Sequence, residues 1–343
     1  MPLGHDVDFV LAHYPEGCWP ERCQSLGNAG GFSGARLWRI EAELGTLCLR
    51  RWPVEHPAPE ELEFIQAVLW HVVQEGFLRV PLPLEAEGHR GYVEHQGYLW
   101  QLEPWMPGSA DFHDHPTLPR LSNALRALGE FHLAASTFPL PDLSPTGSPG
   151  LVRRYKRLRG LLGGGFEQLS QAVRRGCGWS EFDRAAGEVL MLAQHAAPAA
   201  AVELATAVTH DVQLQPCVRD IWSDHVLFQG DSVSGLVDFG AMRPESVAGD
   251  VARLLGSLAG DDPAFWAAGM VAYEAARPLT AIERNLVAAF DHSSVVMAGL
   301  TWLEWIYVRQ LRFEDRDRVL LRLDENLRRL RKLASGADRS QVG

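Results

Sequence analysis

Val218–Gly240 reads VRDIWSDHVLFQGDSVSGLVDFG. Two short apolar runs, Val226–Phe228 and Leu236-Val237, flank Gly230-Asp231, a dipeptide suited to the tight turn of a β-hairpin. Such a hairpin would hold Asp220 and Asp238 on its two flanks, pointing into one cleft, with His225 as a third polar group. Two carboxylates and a third ligand in one cleft are what phosphoryl transfer needs. One carboxylate orients an attacking hydroxyl and takes its proton, while the other groups hold a metal that bridges nucleotide phosphates.

Arg219-Asp220, His225 and Asp238-Phe239-Gly240 resemble the catalytic and metal loops of the protein-kinase-like fold. Within that fold they are most similar to the aminoglycoside phosphotransferase family of small-molecule kinases. That family usually carries His-Gly-Asp, then Asn, two apolar residues and finally Asp-Phe-Gly. Both aspartates and their spacing are kept here, but Val218-Arg219 stands where His-Gly is usual and His225 where Asn is usual. An imidazole nitrogen is a softer ligand than an amide oxygen and suits Mg²⁺ poorly. The resemblance implies an α+β, bilobal protein-kinase-like fold: a small N-terminal antiparallel sheet lobe over residues 1–104 and a larger, mainly helical lobe over 105–343. It also implies ATP and Mg²⁺ as cofactors, Asp220 as the base, and Asp238 and His225 as metal ligands.

Further toward the N-terminus, GNAGGFSG at 27–34 lies between the strand candidates Cys23–Leu26 and Ala35–Glu41. A turn at Gly45 then leads to a third strand, Thr46–Arg51. Glycines let a backbone approach phosphates closely, so Gly30, Gly31 and Gly34 are candidate nucleotide contacts. No Gly-Lys-Ser/Thr closes the loop, which excludes a P-loop. Alternation puts Cys48 and Arg50 on one face of the third strand, with Leu47, Leu49 and Arg51 on the other. The resemblance gives Arg50 the role of phosphate-binding cation, for which its permanent charge and forked geometry are suited.

Leu62, Ile65, Val68, Leu69 and Val72 recur at helical spacing and predict a helix within Pro57–Glu75. The resemblance asks this helix for a glutamate to pair with Arg50. The usual place falls near Ile65, and Glu61, four residues earlier on the same face, is the candidate. Strands around Gly91–His95 and Gly97–Leu102 are joined by Gln96-Gly97. The sequence EPWMPG at 103–108 then breaks regularity; it resembles the family's hinge, with Glu103 and Trp105 as candidate nucleotide contacts.

The rest of the chain reads as helical. Helices are expected over Leu118–Ser136, with His132 as a structural histidine mid-stripe, and over Leu151–Arg175, Ser180–His195 and Glu245–Leu258. Asp262-Pro263 and Thr280-Ala281-Ile282-Glu283 are helix starts, the second opening a helix to about Phe313. A last amphipathic helix covers Arg316–Leu333.

The chain has 343 residues, 46% hydrophobic and 22% charged, a globular composition. A net charge of −11 argues against nucleic acid or an anionic membrane as partner. The N-terminal sequence has no basic region followed by an apolar core, no run of eighteen apolar residues occurs, and five cysteines lack CxxC pairs. A cytoplasmic location is expected, with a small hydroxylated molecule as substrate. The alternative is a kinase-like nucleotide-binding or regulatory protein with little or no transfer activity, motivated by His225 and by the missing glutamate near Ile65.

Overall fold

The computed structural model describes residues 4–28, 34–141, 145–313 and 315–336. Gly30 and Gly31 lie outside the described residues, while Gly34 lies within them. The chain forms two compact units. The first comprises Met1–Pro139, Gln215–Pro244 and Ala268–Arg277; the second comprises Leu140–Leu214, Glu245–Ala267 and Pro278–Gly343.

An antiparallel sheet dominates the first unit. Its strands are β1 (Pro20–Gly27), β2 (Arg36–Ala42), β3 (Gly45–Arg51), β4 (Val93–His95) and β5 (Tyr98–Pro104), in the order β1-β2-β3-β5-β4. The β4–β5 turn places Gln96 at φ 52° and Gly97 at φ 76°, two consecutive left-handed residues as a two-residue hairpin requires. Period-2 alternation on β3 sends Leu47 and Leu49 into a core with Ile40, Trp100 and Leu102. That core is covered by Val7, Val10 and Leu11 of helix α1 (His5–Leu11), a stretch whose sequence does not declare a structure. On the other face of β3 lie Cys48 and Arg50.

Helix α2 (Pro59–Gln74) buries Leu62, Ile65, Val68, Leu69 and Val72, the predicted stripe, and one polar residue among them, Gln66. Helix α3 (Leu118–Ala135) carries His132, which is fully buried and bonded through Nδ1 to the Tyr273 hydroxyl at 2.8 Å, as a structural histidine. The predicted hairpin forms as β6 (Val226–Gln229) and β7 (Ser232–Leu236), with Gln229 opposite Ser232 across Gly230-Asp231.

The second unit is helical: α4 (Pro149–Gly160), α5 (Phe166–Arg175), α6 (Ser180–Ala207), α7 (Ala248–Ala259), α9 (Ala281–Leu303) and α10 (Arg316–Ala334), while α8 (Pro263–Ala276) runs from this unit into the first. Helix α9 is central, packing on α6, α7 and α10. Gly299 brings α9 so close to α6 that a Cβ there would lie 2.6 Å from Val189 Cγ1.

Several expected boundaries move. The helix expected over Leu151–Arg175 is interrupted by a π-helical turn at Leu161–Gly165, where Gly164 takes φ 127°, a value that L-residues with a Cβ avoid. Helix α6 runs past His195 and through Pro198 to Ala207, since buried alanines on both sides of the proline keep the helix packed where propensity would end it. Helix α9 stops at Leu303, ten residues short, in a second π turn at Glu304–Val308, and α7 starts at Ala248, three residues late. The two expected helix starts are present: Asp262 Oδ1 accepts from Ala264 N and Phe265 N, and Thr280 and Glu283 make the reciprocal capping bonds.

Leu49 has no exposed surface and sits at the centre of the sheet core that fixes the direction of its neighbour Arg50. Leu49→Ala should therefore lower the stability of the first unit by about 2–5 kcal/mol, read as a lower denaturant midpoint. A loss within about 0.5 kcal/mol, the range of surface substitutions, would mean that this core does not hold the strand.

Candidate active site

Everything in this site belongs to the first unit. Arg50 leaves β3 on the face opposite Leu49. Its Nη1 donates to Asp238 Oδ1 at 3.1 Å, and its Nη2 lies 3.6 Å from Glu103 Oε1. The guanidinium covers the Trp52 ring at 4.7 Å, a cation–π contact, and its side chain is only 11% exposed. Its Nε is buried with no hydrogen-bond partner among the described residues. A guanidinium taken out of water needs such counter-charges, since the ion cannot shed its proton. The two carboxylates more than offset its burial and hold the Arg50 pKa above its ordinary value.

Glu103 and Asp238 respond in opposite directions. Burial raises the Glu103 pKa, and the attraction of Arg50 and the hydrogen bond from Gln101 only partly offset it. Burial also opposes ionisation of Asp238, but the charge and hydrogen bond of Arg50 outweigh it and keep this carboxyl below the usual range. Asp238 is thus an ionised carboxylate, a type of oxygen ligand that suits a hard divalent metal.

The expected Glu61–Arg50 pair does not form. Glu61 lies in the first turn of α2, where its Oε2 accepts from Ala58 N at 3.0 Å and from His56 Nδ1 at 3.2 Å, and its Oε1 contacts Arg243 Nη2 at 2.6 Å. A carboxylate in the first turn is drawn to the unpaired N–H groups and positive end of its own helix. Helix α2 reaches the cation by another route. Gln66 Nε2 donates to Gln101 Oε1 at 2.9 Å and to Gly91 O at 3.0 Å, and Gln101 Nε2 donates to Glu103 Oε2 at 2.5 Å. The counter-carboxylate therefore comes from β5, and the helix contributes an amide two steps away. Gln66 and Gln101 escape a sequence search for charged partners; the available signal is an amide inside the apolar stripe of α2.

Glu103 consequently turns its side chain toward Arg50. Trp105, the other hinge candidate, donates its backbone N–H to Thr46 O at 2.9 Å, and its ring lies 5.2 Å from the Arg39 guanidinium carbon. Further along the hinge, Gly108 sits at φ 101° against the hairpin, and a Cβ there would meet Phe228 O at 2.6 Å. Ser109 and Phe228 exchange two backbone bonds of 3.0 and 2.9 Å beside it.

On the Asp220 loop, Arg219 adopts φ 65°, and Asp238 adopts φ 64° across the hairpin. For arginine this left-handed conformation costs roughly 1–2 kcal/mol, which explains why a glycine is at home at the position of Arg219. His225 is held from both sides. Its Nδ1–H donates to Asp220 O at 2.7 Å, and its Nε2 accepts from Trp222 Nε1 at 2.9 Å. This pair of bonds fixes the neutral Nδ1–H tautomer. Nε2 also lies 3.5 Å from Asp238 Oδ2. The base of the hairpin is closed by Val237 N donating to His225 O at 3.0 Å. His225 thus ties the Asp220 backbone, the hairpin and the Asp238 loop together. As a ligand for a hard cation it fits poorly, because the Nε2 lone pair already receives the indole N–H and nitrogen is a soft donor for Mg²⁺. Phe239 anchors the far side of the loop, buried with its ring centroid 5.6 Å from that of Phe131 on α3.

Because the folded-state Glu103 pKa is raised, this group favours folding most below the usual carboxylate range, and that contribution is lost as pH rises through the raised value. Glu103→Gln should therefore flatten the pH dependence of stability above about pH 5 without lowering the melting temperature at pH 7. It should also raise the KM for nucleotide about tenfold as Arg50 loses an anchor, more than it lowers kcat. A large fall in melting temperature with unchanged KM would assign Glu103 to the scaffold alone.

Comparison with known proteins places these features in one family. The sequence pattern of the phosphotransferase enzyme family matches residues 26–284, most of the chain. A homoserine kinase of Gluconobacter oxydans (strain 621H) is 28% identical over 208 residues, covering 56% of this chain; the chain spans 65% of that kinase's length. Among solved structures, an aminoglycoside phosphotransferase from Alicyclobacillus acidocaldarius superposes with a TM-score of 0.58 at 18% identity, covering 98% of this chain and 96% of its own. An amicoumacin kinase in complex with AMP-PNP, Ca²⁺ and Ami superposes with a TM-score of 0.65 at 10% identity, covering 99% and 96% of the two chains. These likenesses establish the α+β, kinase-like fold. With the Asp220 loop, the Arg50 strand and Asp238-Phe239-Gly240 all inside the matched span, the chain belongs to the phosphotransferase enzyme family.

Proposed function

We propose that this chain moves the γ-phosphoryl group of ATP to a hydroxyl of a small molecule. The observation that carries the reading is the 3.1 Å contact between Arg50 and Asp238, which joins the third-strand cation to the metal loop across 188 residues of sequence. In this reading Asp220 accepts the proton that the acceptor hydroxyl loses. That oxygen bonds to phosphorus as the bond from phosphorus to the departing ADP oxygen breaks. Arg50 donates to the nucleotide phosphates, with Glu103 and Trp52 keeping its guanidinium in place. Asp238 would hold Mg²⁺, which when bound neutralises charge on those phosphates. His225 acts through Asp220, by holding the backbone carbonyl of that residue. The homoserine kinase relative and the fold shared with an amicoumacin kinase support a small hydroxylated acceptor.

One observation favours a second reading, a kinase-like nucleotide binder without transfer. The His225 ring spends both nitrogens within the protein, so the usual second metal ligand is replaced by a structural clamp. The intact pair Asp220 and Asp238 favours the enzyme.

Asp220→Asn should reduce ATP-dependent phosphorylation of hydroxylated metabolites by a factor of about 10²–10⁴ while ATP binding, measured by calorimetry, persists. Unchanged turnover in that variant would sink the assignment. Thermal shift with ATP should grow on adding Mg²⁺ or Mn²⁺, and Asp238→Asn should remove the metal-dependent part. A shift of equal size with and without metal would favour the binder.

A further inference from the structure

Trp222 and His225 face each other across one tight turn. Ser223–His225 forms a single 3₁₀ turn, and His225 N donates to Trp222 O at 2.9 Å. Side chains three residues apart on such a turn lie one above the other, so the indole is carried onto the imidazole. The two ring centroids are 5.2 Å apart, with the planes at 68°. In that arrangement Trp222 Nε1 reaches His225 Nε2 at 2.9 Å. An indole N–H can only donate, so Nε2 is the nitrogen that accepts.

A neutral imidazole has one lone pair. With Nδ1–H committed to Asp220 O, that lone pair is the one Nε2 gives to the indole. His225 has no electron pair for a cation unless the indole lets go. Its side chain is only 11% exposed, so little water is at hand to replace either bond. Release would also strand the N–H of Trp222, itself half-buried. Protein kinases hold two Mg²⁺ ions on the nucleotide, one by the Asp of Asp-Phe-Gly and one by the catalytic-loop Asn. Here the first group is present as Asp238, while the second place is filled by a ring whose acceptor is already used. Asp224, beside it on the turn, accepts from Ser223 Oγ at 3.1 Å.

We propose that this site takes one divalent cation, on Asp238, and that Trp222 bars a second by occupying Nε2 of His225. The inference rests on the transfer reaction proposed above and narrows its metal requirement to a single ion. Trp222 is in this account a positioning residue. It acts through His225, fixing the tautomer whose Nδ1–H holds the Asp220 carbonyl.

The test counts ions on the full chain saturated with the non-hydrolysable nucleotide AMP-PCP, by calorimetric titration with Mn²⁺ and with Co²⁺. The wild type should saturate at one ion per chain with either metal. Trp222→Phe should take up a second Co²⁺, since it frees an imidazole nitrogen, and His225→Asn a second Mn²⁺, since it supplies an amide oxygen. Long-range ¹H–¹⁵N spectra should show His225 as the Nδ1–H tautomer in the wild type, with its Nε2 signal shifted in Trp222→Phe. A wild-type count of two, a count of one in Trp222→Phe, or an Nε2–H tautomer in the wild type would overturn the proposal. If Trp222→Phe does not fold, a count of one in His225→Asn does the same. Two ions in the wild type would leave the transfer reaction standing, whereas none would sink that reaction and this inference together.

Discussion

A buried guanidinium dictates much of the first unit. Arg50 cannot discharge, so its neighbourhood must supply negative charge and aromatic surface, and it does so from three separate parts of the chain: Glu103 on β5, Asp238 beyond the hairpin, and Trp52 just past β3. Each partner is held in turn. Glu103 is bonded by Gln101, Gln101 by Gln66 of α2, and the loop carrying Asp238 is closed on the hairpin by Val237 and anchored on α3 by Phe239. Sheet, helix and hairpin therefore meet at one charge. Burial prevails at Glu103 and raises its pKa, whereas at Asp238 the charge and hydrogen bond of Arg50 prevail over burial.

Local chemistry made the hairpin, the Gln96-Gly97 turn and the two helix starts legible in the sequence, because each is set by a few adjacent residues whose side chains or φ preferences act over one turn. Period-2 alternation correctly separated Leu49 from Arg50. What sequence could not supply was the partner of Arg50. A charged residue on the right helix, Glu61, was captured by its own helix start, and the replacement was a chain of two amides ending in a carboxylate on a different strand. Such a relay has no spacing rule, since its members are joined by tertiary packing alone. The same reason explains α6, whose passage through Pro198 depends on the alanines buried around it.

Buried arginines take different partners at different positions. Arg50 and Arg329 are each bracketed by two carboxylates. Arg154 donates to two serine hydroxyls and lies near an aromatic ring, with cations and carboxylates both nearby. Position, more than residue type, decides which partners a buried arginine in this fold takes.

The close approach of Gly240 to Trp52 has a mechanical consequence. A single added carbon at Gly240 would stand 2.8 Å from the indole, while Arg50 lies over that ring. Strand end, aromatic plate and Asp238 loop are stacked without slack. The loop cannot shift toward β3 without displacing the plate, and the plate cannot move without disturbing the cation. Trp52 therefore works as a rigid spacer, transmitting displacement between two segments distant in sequence and setting a minimum separation below which they cannot close.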